Sequence, residues 1–195
     1  VQVVGVTSLD KTQRETFAKP RGIHAFASLS EMLPEVELID NCTPGYAHEP
    51  VSIAAFEAGK HVVVEKPFTG YYGPPDAERF EGNRFSKEQM LEGALASARR
   101  IIAAAQKSKK KLCYAENWVY APAVQKEAEI LAKTKGQILW ALGDQSHSGS
   151  PSPAYGIWKL SGGGSIVGKS CHPLTAILYL KQIEGMTHNG RPIRP

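Results

Sequence analysis

The chain has 195 residues, 42% of them hydrophobic, with 23 Lys and Arg against 19 Asp and Glu, a formal charge of +4. That length supports one ordinary domain or two small ones with a packed core, and so mild a charge excludes the clustered basic face of a nucleic-acid-binding protein. No apolar run approaches the roughly 20 residues that span a bilayer and no signal-peptide pattern opens the chain, so it reads as soluble and cytoplasmic.

Residues 1–7 (VQVVGVT) are β-branched and apolar, the pattern of a parallel strand buried on both faces. A strand at the very start, without Met, reads as a chain that lacks its true beginning. Asp10 is placed to cap a helix over 11–19, which Pro20 ends. A brief strand over 22–27 and a helical turn over 28–33 lead to a second long strand, 36–43 (VELIDNCT), stopped by Pro44 and Gly45. A helix follows over 48–58, with Val51, Ala54, Ala55 and Ala58 on one face, then Gly59 at its left-handed stop and a strand over 62–64.

Residues 70–85 are irregular and rich in Gly and Pro, a length at which loops are often functional. Ser86 and Gln89 form a capping box for a long helix with an apolar stripe from Met90 to Ala105. Its basic end, Lys107 and Lys109 to Lys111, complements the helix dipole. With a strand over 111–115, strand and helix alternate throughout, which predicts a doubly wound parallel α/β sheet. Cys42 and Cys113 fall in apolar strands and, like Cys171, read as buried thiols in a reducing compartment, with no metal-ligand spacing.

From Asn117 the pattern changes, and a boundary near Glu116 divides the chain into 1–115 and 116–195. Pro122 opens a helix over 123–135, residues 137–142 (QILWAL) read as a strand, and a polar loop over 146–155 precedes Trp158 and the run SGGGS. His172 and Pro173 start a last helix over 174–180. His48, His61 and His147, taken singly, read as structural.

Two motifs compete for the chemistry. Gly163 to Ser170 matches GxxxxGK[ST], the phosphate-binding loop of nucleotide triphosphatases, which requires a buried strand leading into it. Residues 155–160 are a poor strand, interrupted by Gly156 and Lys159, and only 25 residues follow Ser170. The second motif is the whole run IDNCTPGYAHEPVSIAAFEAGKHVVVEKP, with Thr43-Pro44, His48, the AGKHV helix end and Glu65-Lys66-Pro67 in order. Lys66 falls at the carboxyl end of a parallel strand, where open α/β sheets place their ligands.

This second run resembles the Gfo/Idh/MocA oxidoreductases, the family of glucose-fructose oxidoreductase and inositol dehydrogenase, and the likeness extends through Asn117, Tyr120 and Pro122 to Trp158 and His172. The resemblance implies a Rossmann-type sheet followed by part of an α+β substrate domain with a mostly antiparallel sheet. It implies hydride transfer between a nicotinamide and a hydroxyl or carbonyl of a sugar-like or cyclitol-like molecule, and a homo-oligomer formed through the second sheet. By resemblance Lys66 and His172 are catalytic. Ser8, Thr43, Pro44, His48, Glu65 and Lys66 bind cofactor, Asn117, Tyr120 and Trp158 bind substrate, and a cis bond at Pro67 is frequent. A lysine beside a cationic cofactor or another cation is expected to have its pKa lowered towards neutrality.

Three departures from the family pattern stand out. No GxGxxG precedes residue 1, so the family's first strand and glycine turn are absent. Gly168 occupies the place of an aspartate four residues before the histidine, and Thr175 that of a common acid after it. Ser8, with Lys11 and Arg14 beyond it, stands where an acid would hold the adenosine ribose, which leans to NADP(H) over NAD(H), although Asp10 restores the acid by a register slip of two. A silent NADP-binding member is the alternative to an active enzyme.

Overall fold

The structure is a computed structural model that describes residues 1–146, 149 and 153–193. The first half alternates β1 (Gly5–Thr7), α1 (Lys11–Ala18), β2 (His24–Phe26), the single turn α2 (Leu29–Met32), β3 (Leu38–Asn41), α3 (His48–Glu57), β4 (His61–Val64), α4 (Lys87–Ser108) and β5 (Leu112–Tyr114). All pairings are parallel, as the alternation predicts, but they form two ladders, β1 with β2 and β3 with β4 and β5. Asp10, Ser28 and Ser86 cap their helices by accepting from the backbone N–H three residues on.

The core lies where β3, β4, α3 and α4 meet, with Ile39, Ala55, Phe56, Val62, Val64, Ile101 and Ala105 buried together. On α3 the most deeply buried side chains are His48, Ser52, Ala55 and Phe56. The expected face of Val51, Ala54, Ala55 and Ala58 is thus rotated, for a reason found in β3. Asn41 is buried at 1% exposure and must be paired. Its amide donates to the His48 carbonyl at 3.2 Å and to Ser52 Oγ at 3.1 Å, which draws that face of α3 onto the strand.

Several expectations require correction. Val1, Val3 and Val4 are exposed, because only residues 5–7 of that segment pair. Cys42 and Cys113 are exposed as well: Cys113 lies on an edge strand paired on one side only, and Cys42 lies just past the end of β3. The α4 stripe is split, with Ile101 and Ala105 buried but Leu91, Leu95 and Ile102 open to solvent.

Helix α3 is also tied to α4 by a bidentate ion pair between Glu49 and Arg100, one limb of which is Nη2 to Oε2 at 2.8 Å. The Arg100 hydrogen bond holds the Glu49 carboxyl below its ordinary 4.5. A lowered carboxyl contributes stability that is present above its unfolded pKa and is lost as pH falls through the folded one. Arg100→Ala is therefore expected to cost at most about 1 kcal/mol at neutral pH, since the pair is largely solvated. The difference from wild type in thermal melts should shrink progressively as pH falls below 4.5.

The second half is helical: α5 (Pro122–Thr134), the single turns α6 (Trp158–Ser161) and α7 (Ser165–Gly168), and α8 (Cys171–Asn189). Helix α8 is much longer than the expected 174–180 and takes His172 and Pro173 into its first turn. The antiparallel second sheet is not observed among the described residues. Residues 137–142 form no strand, because no second segment offers a ladder and Glu184 on α8 instead accepts the Ile138 N–H at 2.9 Å. Leu139, Trp140 and Leu142 stand exposed. The phosphate-loop reading fails on context, since Gly163 follows the single turn α6 and not a strand. His147 and part of the 146–155 loop lie outside the described residues. Among the described residues no helix is long and apolar enough to cross a membrane.

Candidate functional site

The register of the three-stranded ladder builds the site. Asn41, Val64 and Tyr114 end β3, β4 and β5 side by side, so the next residues of each strand, Cys42 and Thr43, Glu65 and Lys66, and Ala115 and Glu116, leave the sheet at one edge. This is the carboxyl edge of a parallel sheet, where the strand-end rule puts ligands. Asn41 Oδ1 accepts the Thr43 hydroxyl at 2.7 Å and fixes the turn after β3. Buried His48 sits behind that turn, with Nε2 2.9 Å from the Thr43 carbonyl and Nδ1 3.0 Å from the Pro67 carbonyl. The Lys66–Pro67 bond is cis.

An open cleft of about 650 Å³ lies over this edge, lined by Cys42, Thr43, Glu65 and Lys66 from the strand ends and by Tyr155, Leu160, Ser161, Gly163 to Ser165, Gly168 and Lys169. Lys66 crosses it: Nζ donates to Tyr155 Oη at 3.1 Å and to the Gly168 carbonyl at 3.3 Å. Partial burial pulls the Lys66 pKa down, but the Tyr155 hydrogen bond and the charges of Tyr155, Cys171 and Glu65 outweigh it, and the net shift is upward. The expected lowering was that of a lysine beside a cation, whereas the groups acting on Lys66 here are a phenol, a thiol and a carboxylate. A lysine held in its charged form suits the holding of an oxygen better than the removal of a proton. Beside it, Cys42 is exposed as a residue, but partial desolvation of its sulfur and then Asp40 push the thiol up to about 11, which keeps it a thiol at neutral pH.

His172 is buried on the first turn of α8, with its ring stacked on Trp118 at 5.6 Å. Its Nδ1 lies 2.6 Å from Oε1 of Glu116, which also accepts the Trp118 N–H at 2.9 Å. Gly168, the missing-acid position, gives Lys66 its main-chain carbonyl instead. A Cβ there would meet nothing closer than Tyr155 at 3.7 Å, so space does not dictate the glycine.

The remaining sequence candidates are dispersed. Ser8 follows β1, its carbonyl accepting from Arg14 Nη1 at 3.0 Å and its hydroxyl from the Asp10 N–H at 3.3 Å. Asp10 is engaged as the α1 cap and Lys11 pairs with Glu15 at 3.8 Å. Pro44 is exposed, as are Asn117 and Tyr120, the last at 76%, and none of the three lines the cleft. Trp158 packs instead against the irregular loop, edge-on to Phe80 at 6.3 Å, with its Nε1 buried and unpaired among the described residues. Glu116 and Tyr155 were not singled out by sequence. Glu116 carries the same signal as Lys66, a charged residue just past a parallel strand, whereas Tyr155 reaches Lys66 from 89 residues away with no local pattern to announce it.

The parallel ladders and their loaded carboxyl edge define an α/β domain of the dinucleotide-binding class. Residues 1–79 match the Gfo/Idh/MocA family model, described as an oxidoreductase family with an NAD-binding Rossmann fold. An uncharacterised oxidoreductase of Escherichia coli K12, YdgJ, is 58% identical over 36 residues, which is 18% of this chain and 10% of that protein. UDP-N-acetylglucosamine 3-dehydrogenase of Acidithiobacillus ferrooxidans is 30% identical over 105 residues, 54% of this chain and 32% of the other. The crystal structure of GenD2 from gentamicin A biosynthesis, in complex with NAD, superposes with a TM-score of 0.70 at 23% identity, covering 92% of this chain and 46% of that one. The chain thus spans at most about a third of these curated relatives and about half of that structural neighbour.

Polar side chains at the carboxyl edge of a parallel sheet fit a bound dinucleotide. Thr43 and Glu65 stand at adjoining strand ends on the cleft wall, and Lys66 follows directly.

Proposed function

We propose that the protein is an NAD(P)-dependent dehydrogenase or reductase acting on a hydroxyl or carbonyl of a sugar-like or cyclitol-like small molecule. One observation carries this reading: Lys66, a cation at the carboxyl end of β4, is held across an open cleft by Tyr155 and Gly168, a place where a substrate oxygen can displace either partner. The names of two relatives, a levoglucosan dehydrogenase and a UDP-N-acetylglucosamine 3-dehydrogenase, support the substrate class.

The bound cofactor supplies a hydride acceptor or donor. This chain's residues do the rest. Thr43, with Asn41 behind it, and Glu65 hold the nicotinamide end, while Ser8, at the end of β1, meets the adenosine ribose. Lys66 anchors the reacting oxygen and stabilises the negative charge that builds on it as the alcohol proton leaves. His172 accepts that proton. Residues 1–115 form the cofactor half and 116–195 contribute to the substrate half. The NADP(H) lean rests on Ser8 and Arg14 and on Asp10 being occupied as a helix cap.

Mixing the full-length protein with NADP⁺ or NAD⁺ and a panel of polyols, sugars and nucleotide sugars should give the near-ultraviolet absorbance of reduced nicotinamide. Cofactor binding without turnover on any member of the panel would leave the silent reading standing. Tighter binding of NAD⁺ than of NADP⁺ would reverse the cofactor preference.

A further inference from the structure

The acid expected four residues before His172 is Gly168, yet the histidine does not lack a carboxylate. Glu116, from the exit of β5, supplies one from the opposite side of the fold, 56 residues away in sequence. The two side chains are 2% and 10% exposed and their atoms lie 2.6 Å apart, the length of a strong charge-assisted hydrogen bond. We propose that Glu116 is the positioning residue of His172, doing from β5 what an acid at position 168 would do from the turn before α8. The proposal rests on the hydride-transfer reading above.

The geometry bears on which nitrogen carries the proton. Oε1 of Glu116 already accepts the Trp118 N–H, so that oxygen is an acceptor and the bond to the ring runs from Nδ1–H to the carboxylate. That fixes the neutral imidazole in the Nδ1–H tautomer and leaves Nε2 with a free lone pair. Trp118 stacks within 17° of parallel on the ring and sets its plane. In the oxidative direction a bound oxidised nicotinamide would supply the acceptor for the hydride of the substrate C–H bond. The hydroxyl proton passes to Nε2 and the C=O bond forms. The resulting imidazolium then faces the Glu116 carboxylate through Nδ1.

Glu116, Cys171 and His172 also place ligand-type atoms within 4.8 Å of one another, a grouping that invites a metal. Two ligands at about 2.0–2.1 Å from a tetrahedral ion stand about 3.3 Å apart, so the observed 2.6 Å belongs to a hydrogen bond. Lys66, whose ammonium interacts with Cys171, further disfavours a second cation there.

The test uses the full-length protein with ¹⁵N-labelled histidine, His172 being assigned among the six histidines by its loss in His172→Asn. Wild type should show His172 as the Nδ1–H tautomer at neutral pH. Glu116→Ala should abolish that preference and lower kcat by about 10²-fold with KM changed less than about threefold. Glu116→Gln keeps an acceptor oxygen that the Trp118 N–H can orient towards the ring, so it should restore the tautomer, while the lost negative charge leaves kcat below wild type. An Nε2–H tautomer in wild type, or an unchanged tautomer and kcat in both variants, overturns the proposal. If wild type catalyses no hydride transfer, the reaction reading fails, and the tautomer in wild type and Glu116→Gln alone decides whether Glu116 positions the ring.

Discussion

Lys66→Ala in the intact protein is expected to lower kcat by about 10³-fold, the range for removing one oxygen-holding donor, while cofactor affinity changes less than about threefold. The reasoning is geometric. The Lys66 ammonium is the cation that reaches both walls of the cleft, through Tyr155 and the Gly168 carbonyl, and its upward-shifted pKa keeps it charged across the neutral range. Stopped-flow measurement of hydride transfer, beside fluorescence titration of reduced cofactor, separates the two effects. Undiminished turnover would remove Lys66 from the chemistry. Lys66→Arg should recover only part of the rate, because a planar guanidinium does not fill the place of a compact ammonium.

The second large effect concerns stability. Gly70→Ala is expected to cost about 2–3 kcal/mol, or roughly 4–12 °C in melting temperature for a chain of this size. A Cβ on Gly70 would lie 2.5 Å from the Gly162 carbonyl oxygen and 2.8 Å from its Cα, and these are backbone atoms that cannot rotate away. The close approach is part of a seam in which the Tyr71 N–H donates to the Gly162 carbonyl at 2.9 Å and Lys159 donates to the Ala77 carbonyl. Gly82 has a similar role, since its Cβ would fall 2.2 Å from the Trp158 ring. The irregular loop over 70–85 is thereby fastened to the far wall of the cleft. Differential scanning calorimetry of Gly70→Ala checks the estimate, and a melting temperature within a degree of wild type would refute it.

Much of the first half was legible in sequence because its signals are local. Caps at Asp10 and Ser86, the Gly59 stop and the β-branched runs each act within a few residues, and the helices and strands they predict form in the first half, with shifted ends. Edges were less legible. A valine run says that a strand is apolar, not that a neighbour exists to pair it, so residues 1–4 stay outside the ladder and residues 137–142 never become a strand. The same blindness put Cys113 inside when it lies on an open edge. Lys66 was found by the rule that parallel strands present chemistry at their carboxyl ends. Applied to β5, that rule points with equal force at Glu116, which the change of composition beginning at Asn117 disguised as a boundary marker. Trp158, given to substrate by resemblance alone, packs instead against the irregular loop, a contact that no local pattern announces.

Buried His48 has one more implication. Its ring bridges the carbonyls of Thr43 and Pro67, so the turns leaving β3 and β4 are locked together from behind before any ligand arrives. The opposite wall is made of one-turn helices and a glycine run. The cleft is thus built asymmetrically, a floor tied together by buried hydrogen bonds facing a wall of short turns. A floor ordered in advance adds no ordering entropy of its own when a ligand settles on it.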